Sequence, residues 1–350
     1  MKYHHRRSLV GLLLTIAMLA AALPAALADA PQGKTVQTKF WLTENDSHQS
    51  IFVEQVEASF LSEQGRQLFP ILYQGSVYIP LKTAGEWLGA DVSWDKSRDA
   101  VTLTTGKTPF YLDFRSKGGQ AKMEEEFKQY QKDKYEGFEI QTYPSLTITL
   151  DGKTVSLANA NGEALVPILF RENIYLPVRT VGELCGKNVL WRQGNGIDPV
   201  DSQIWIYDSP TAEQWKEIWA YQDACRDVSL RLDDLLTELS GLTSAERERI
   251  GQCLKEMKAL SDSLSTISVP QVPFFQGHFL TTARFYAFEL GSELNTYIYI
   301  HENRPDRTWE QERDWNLSWL EKETGKLSDS LHADERLLNL MHQYATAPAA

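Results

Sequence analysis

Positive charge is in short supply in this chain. Lys and Arg number 35 against 47 Asp and Glu, a net charge of −12 over 350 residues. A surface built to hold nucleic acid needs the opposite balance, and the same deficit argues against electrostatic docking on anionic lipid or wall polymer. Cysteine is scarce: the three residues, Cys185, Cys225 and Cys253, are an odd number and too few for a disulfide scaffold. Cys225 and Cys253 fall on successive expected helices at different distances from the turn near Gly241, so their pairing is not expected. No apolar run beyond the N-terminus is long enough to span a bilayer. Catalytic motifs are missing as well. There is no Gly-x-Ser-x-Gly, no phosphate loop, no His-Glu-x-x-His and no clustered Cys.

Hydrophobic residues make up 42% and charged residues 23%, an ordinary globular balance, and the length suits two or three domains. His4, His5, Arg6 and Arg7 precede an apolar stretch from Leu9 to Ala22 and a small-x-small site, Ala26-Leu27-Ala28. This reads as a signal peptide over 1–28, cleaved after Ala28. Its removal takes away Lys2, Arg6 and Arg7 and leaves the mature chain at −15. The expectation is a secreted, extracellular or cell-wall-associated protein with no integral membrane segment after cleavage.

Beyond the signal segment the chain repeats itself. Residues 70–94 read PILYQGSVYIPLKTAGEWLGADVSW and residues 167–191 read PILFRENIYLPVRTVGELCGKNVLW, with 11 of 25 positions identical at a constant offset of 97. Each copy starts with period-two strands. In the second, 146–150 alternates, Asp151-Gly152 is a turn pair and 154–157 answers it. Strands come next at 167–170 and 174–176, matching 70–73 and 77–79. The period then lengthens to that of a helix. Pro80 and Pro177 suit a helix start; Leu81, Ala84 and Leu88 share a face with their counterparts Val178, Val181 and Cys185. Gly89 and Gly186 suit a left-handed helix end. Strands through Trp94 and Trp191 lead to final strands at 101–104 and 204–207. Cys185, in the slot of Leu88, reads as a small core residue.

This pattern resembles the copper amine oxidase N-terminal domain, or stalk domain. The resemblance rests on Val77–Lys82, Glu86–Ala90 and Val92–Asp95, and in the second copy on Ile174–Arg179, Glu183–Gly186 and Val189–Trp191. Cys185 and the lack of an Asp after Trp191 depart from it. The resemblance implies a non-catalytic domain of exported bacterial proteins, often beside an unrelated functional domain. The oxidase itself needs an Asn-Tyr-Asp/Glu site and a His-x-His copper pair. The chain has no Asn-Tyr dipeptide, and its later histidines (His48, His278, His301, His332 and His342) are scattered.

Residues 107–145 read as an insert with a short surface helix over 121–135, where Met123, Phe127 and Tyr130 have helical spacing. After Asp208 alternation gives way to four amphipathic segments: 211–240, a segment opened by the capping box Thr243-Ser-Ala-Glu246 and running to Ile267, 274–301, and 308–343 with a kink expected at Gly325. The predicted fold is α+β: two small antiparallel-sheet-plus-helix stalk-type units at 35–106 and 146–209, then an all-α antiparallel four-helix bundle at 210–345.

No catalytic, cofactor or metal site is predicted, and no cofactor. A di-metal bundle needs matched Glu-x-x-His steps, whereas Asp329-x-x-His332 occurs once; Glu289 and Glu293 read as a solvated pair one turn apart. The aromatics of 274–301 (Phe275, Phe279, Phe285, Tyr286, Phe288, Tyr297 and Tyr299) read as core, and one of Trp309, Trp315 and Trp319 as exposed. The expected function is a non-enzymatic cell-envelope protein, its repeats a scaffold for a helical module that binds an extracellular protein or a wall component. The alternatives are a small-ligand or glycan-binding module on the aromatic helix, and an enzyme with its site in 211–345. Binding residues and oligomeric state stay open.

Overall fold

The computed structural model describes residues 33–40, 50–54, 56–62, 66–109, 132–133, 136–158, 162–192, 202–275, 278–304 and 308–346. The expected signal segment 1–28, most of the helix expected at 121–135, and the side chain of Trp315 lie outside them. The described residues form a mixed fold, a β-rich first part followed by a helical C-terminal region.

The first copy supplies β1 (Thr35–Phe40), β2 (Ser50–Val53), β3 (Val56–Glu57), β4 (Ile71–Tyr73), β5 (Ser76–Pro80), helix α1 (Leu81–Trp87), β6 (Asp91–Asp95) and β7 (Ala100–Thr104). The second supplies the same order: β8 (Phe138–Thr142), β9 (Thr147–Leu150), β10 (Lys153–Thr154), β11 (Ile168–Phe170), β12 (Asn173–Pro177), α2 (Val178–Leu184), β13 (Asn188–Arg192) and β14 (Gln203–Tyr207). Local chemistry explains the elements. Gln74 and Gly75, Asp151 and Gly152, and Arg171 and Glu172 all have positive φ, the conformation a two-residue I′ hairpin turn requires. Both short helices end alike. Gly89 N–H donates to the Glu86 carbonyl and Ala90 N–H to that of Gly85, at 3.2 and 2.7 Å. Gly186 and Lys187 repeat this on Glu183 and Gly182 at 3.0 and 2.9 Å, the paired bonds of a Schellman end.

The copies do not pair their strands as two self-contained units. β1, β4 and β5 of the first close a six-stranded barrel with β12, β11 and β8 of the second. The β9–β10 hairpin of the second copy joins β7–β6 of the first, and the β2–β3 hairpin of the first joins β14–β13 of the second. Both exchanges are parallel pairings, Val101 opposite Ile148 and Ile204 opposite Ile51. This corrects the all-antiparallel sheet expected within each copy: a parallel neighbour needs a long crossover, supplied here by the rest of the chain. The expected start of the second copy at 146 also moves back, because β8 at 138–142 is a barrel strand from the stretch read as an insert. Phe40, Ile71, Tyr78, Phe138, Ile140, Ile168, Phe170 and Tyr175 fill the barrel. A second core draws on both copies and contains Ile51, Val101, Ile148 and Ile204.

Four long helices complete the described chain: α3 (Ala212–Gly241), α4 (Arg247–Ser263), α5 (His278–Asn303) and α6 (Trp309–Thr346). Thr211 caps α3 reciprocally with Gln214, at 2.8 and 3.2 Å. The capping box expected at Thr243 and Glu246 is present, and α6 runs through Gly325 without a break. Each long helix packs on the next, and α3 packs on α6. The start of α3 lies against the end of α6, where Trp215 meets His342 at 4.6 Å.

Strand β14 joins the two parts. Ile204 and Ile206 point into the β core, while Trp205 and Tyr207 point into the helical core. Trp205 stacks on Phe52 at 4.4 Å and lies 5.7 Å from Phe279. The Tyr207 hydroxyl donates to the Met341 carbonyl at 2.9 Å. Its counterpart β7 carries Thr102 and Thr104 there, both exposed. The outward face of β14 is thus apolar, as a strand packed between two cores requires, and that of β7 is polar.

Candidate functional site

The outer face of α5 is the chain's candidate interaction surface. Ala283, Ala287, Leu290, Leu294 and Tyr297 point inward and are buried. Phe285, Phe288 and Tyr299 point outward, 55%, 72% and 64% exposed. Phe288 and Tyr299 are eleven residues apart, three helical turns, so they share a face about 16 Å apart at 1.5 Å per residue. Ser292, Asn295 and Thr296 are exposed between them, and Arg284 is the sole charged residue among the fully exposed positions of 284–299. The other long helices differ: α3 exposes Glu213, Lys216, Glu217, Asp223, Asp227, Arg231, Asp234 and Glu238.

Ion pairs border the strip. On α4, Lys258 holds Asp262 at 2.5 Å, and Lys255 holds Glu302 at 2.7 Å. On α6, Lys326 holds Glu323 at 2.6 Å. The Ser261 hydroxyl donates to the Ala287 carbonyl at 2.7 Å and pins α5 to α4. The strip is therefore a row of exposed aromatic and small polar side chains, with Arg284 at one end and Glu289 and Glu293 half-buried along it.

Two groups of buried charges lie elsewhere. Lys187, after α2, reaches Glu54 at 3.4 Å and Asp208 at 2.7 Å, and the Asp208 N–H donates to Glu54 at 2.9 Å. The cluster ties the first copy, the second copy and the chain leading to α3. Burial pushes the Glu54 carboxyl up, and Lys187 only partly draws it back. Burial also works against the Lys187 charge, but Asp208 and Glu54 outweigh it and raise its pKa. On α6, Asp334 is 4% exposed; burial pushes its carboxyl up to about 8 against the opposing pull of Arg192 on β13. Tyr221 and Cys225 of α3 face the same charge.

Two small cavities open among the helices. A groove of about 60 Å³ between α3 and α6 is lined by residues including Gln222, Arg226, Ser229, His332 and Glu335. One of about 20 Å³ lies among Arg247, Tyr297, His301, Arg304, Trp309 and Asn316. Each has room for a water or two, far below the several hundred Å³ of a small-molecule pocket.

The residues singled out by sequence are scattered. Glu289 and Glu293 are half-buried on α5. His332 Nδ1 lies 2.9 Å from the Ser328 carbonyl of its own helix. Among the described residues no three His, Cys, Asp or Glu side chains come together as a metal site. The three cysteines are free thiols; Cys225 and Cys253 are buried and Cys185 half-buried, its pKa pushed up to about 11 by burial. The aromatic helix divides. Phe275, Phe279 and Tyr297 are core, whereas Phe285, Phe288 and Tyr299 are not. Trp309 is buried and Trp319 half-buried, and among the described tryptophan side chains Trp191 is exposed, at 47%. The separation is recoverable from the heptad positions of α5, whose apolar residues fall in two stripes rather than one.

Residues 64–128 match the model of the copper amine oxidase N-terminal domain. The match covers less than a fifth of the chain, begins in the first copy, runs past its end at 106 into the stretch read as an insert, and stops before residues 167–191. The matched domain is the non-catalytic N-terminal part of that oxidase. No curated protein and no solved structure matches the chain.

Proposed function

We infer that this chain is an exported, non-enzymatic scaffold of the cell envelope that works by docking. In this reading residues 35–106 and 138–209 are two interlocked stalk-type copies forming a platform, and 210–345 is a four-helix module that engages an extracellular protein or a wall component. The exposed aromatics of α5, Phe285, Phe288 and Tyr299, carry the reading, because large aromatic side chains left in water anchor protein interfaces. The signal-like residues 1–28 support export, and the stalk-domain match supports a scaffold role.

The test is retention of the mature chain on isolated cell-wall sacculi and on extracellular protein fractions. The expected result is retention by the wild type, lost in Phe285→Glu/Phe288→Glu and kept in Asp234→Lys on the charged face of α3. Equal retention of all three would sink the reading. A second reading, a glycan-binding strip, draws on Ser292, Asn295 and Thr296, whose polar groups sit between aromatic faces that attract the polarised C–H groups of sugars. It predicts that soluble wall oligosaccharides compete for retention.

A further inference from the structure

The first turns of α4 and α6 meet the last turns of α5, and one face of each helix converges there. Tyr297, His301 and Arg304 stand at i, i+4 and i+7 on α5, and Trp309 and Asn316 stand two turns apart on α6. With Arg247, the first residue of α4, they line the smaller cavity, of about 20 Å³. The Trp309 backbone N–H donates to the Ser244 hydroxyl at 3.0 Å and fixes the start of α6 against the turn before α4. Gly251 lets the His301 ring lie against α4, since a Cβ there would sit 2.9 Å from Nε2.

The lining is rich in donors and holds no carboxylate among the described residues. Arg247 is half-buried. Its guanidinium donates to the His301 carbonyl, one of the last carbonyls of α5, which have no helical partner. That bond uses one of five N–H donors, and no carboxylate pairs with Arg247 among the described residues. Trp309 is 8% exposed, and its indole N–H is buried without an acceptor. Asn316 is 7% exposed, and its amide makes no hydrogen bond among the described residues. Buried polar groups are nearly always paired, so two left open on one cavity mark a place for an acceptor. The carboxylates nearby are engaged or set back. Glu246 closes the capping box on Thr243 at 3.0 Å, Glu302 holds Lys255 at 2.7 Å, and Glu248 and Glu293 stand outside the lining. Burial, with Arg247 and Lys255, holds the His301 imidazole below its usual range against the pull of Glu302.

We propose that this cavity is an oxyanion site: Arg247 pairs the charge, and the Trp309 indole N–H and the Asn316 amide donate to the bound oxygens. A space for a water or two admits one or two oxygens. The site therefore grips a carboxylate or phosphate group and leaves the rest of its ligand outside, toward the exposed Arg304. The N-termini of α4 and α6 add their partial positive charge. The site is separate from the outer face of α5 and does not depend on the docking reading of that face.

NMR titration of the full mature chain with inorganic phosphate, acetate and chloride at matched ionic strength tests this. The readout is the Trp309 indole N–H, assigned through Trp309→Phe. Phosphate or acetate should move that resonance downfield and saturate in the millimolar range, the stronger of the two naming the group; chloride should not. In the saturated protein the His301 imidazole should titrate at higher pH, because the anion offsets Arg247 and Lys255. Arg247→Gln should weaken binding at least about tenfold. Asn316→Leu should weaken it too while leaving the melting temperature equal or higher, since it removes a buried amide that has no partner. Lys216→Gln, on the first turn of α3, should change nothing. If Arg247→Gln fails to fold, Asn316→Leu decides alone. No shift with either oxyanion, a shift that chloride reproduces, or binding indifferent to Asn316→Leu overturns the proposal and leaves the cavity a site for water only.

Discussion

Replacing Asp334 by Asn should make the protein more stable at pH 8 and change it little at pH 4. The side chain is 4% exposed on the inner face of α6. Its carboxyl titrates near 8 rather than its ordinary 3.8, chiefly because burial penalises the charge, with Arg192 pulling the other way. The sign comes from the two states. Below about pH 4 the group is protonated both folded and unfolded, so it costs nothing. Between pH 4 and 8 the unfolded chain gives up the proton while the folded chain keeps it, and the folded state loses ground steadily. Above 8 the penalty is constant. At about 1.4 kcal/mol per pH unit its ceiling is roughly 6 kcal/mol, reduced in practice by relaxation around Arg192. Asn has nearly the same shape and does not titrate. Urea unfolding followed by tryptophan fluorescence at pH 5, 6.5 and 8 should therefore show a growing advantage for Asp334→Asn, about 3 kcal/mol at the highest pH if half the ceiling is realised. Parallel wild-type and variant curves across that range would rule this out. They would mean that the carboxylate is already charged in the folded protein and held by Arg192.

Gly182→Ala should destabilise by about 2 kcal/mol although Ala is the better helix former, because its Cβ would lie 2.2 Å from Val189 Cγ2; thermal melting of the single variant and of Gly182→Ala/Val189→Ala should show the clash as non-additivity. Lys187→Met should cost about 3 kcal/mol by leaving Glu54 buried without its cation, and adding Glu54→Gln should recover most of it, read from urea midpoints. Tyr207→Phe removes the hydrogen bond to the Met341 carbonyl and should cost about 1 kcal/mol, seen as earlier loss of the helical signal on heating.

The local parts of this fold are legible in the sequence because they depend on neighbours. Asp151-Gly152 announces its turn, Gly89 and Gly186 their left-handed helix ends, and Thr243 with Glu246 a helix start. Strand partnership is a different kind of information. The alternation in Val101-Thr-Leu-Thr104 says which side chains are buried, not that the neighbour will be β9 of the other copy. Each copy can be read as complete because its own strands are sufficient in number, and only the three-dimensional closure of the barrel assigns them across copies. Two further signals lie in the sequence itself. Ile204-Trp-Ile-Tyr207 is apolar on both faces where its counterpart is half polar, which marks the strand that lies between two cores. Asp334 sits in the stripe of Leu327, Leu331, Leu338 and Met341, a charge in a buried register. On α5 the density of aromatics hides their division. Helical spacing is satisfied by Phe279 and Tyr297 inside, and the same spacing places Phe288 and Tyr299 outside.

Strand exchange between the copies is the claim on which the platform rests, and fragments test it most directly. Residues 33–109 and 136–346 can be made separately and mixed, with amide dispersion in NMR spectra as the readout. The exchange predicts that 33–109 has no folded monomer, because β1, β4 and β5 close a barrel only with strands of the other copy. It predicts too that mixing the two fragments restores a dispersed spectrum. A well-dispersed spectrum from monomeric 33–109 alone would mean that the first copy closes on its own strands and that no exchange takes place.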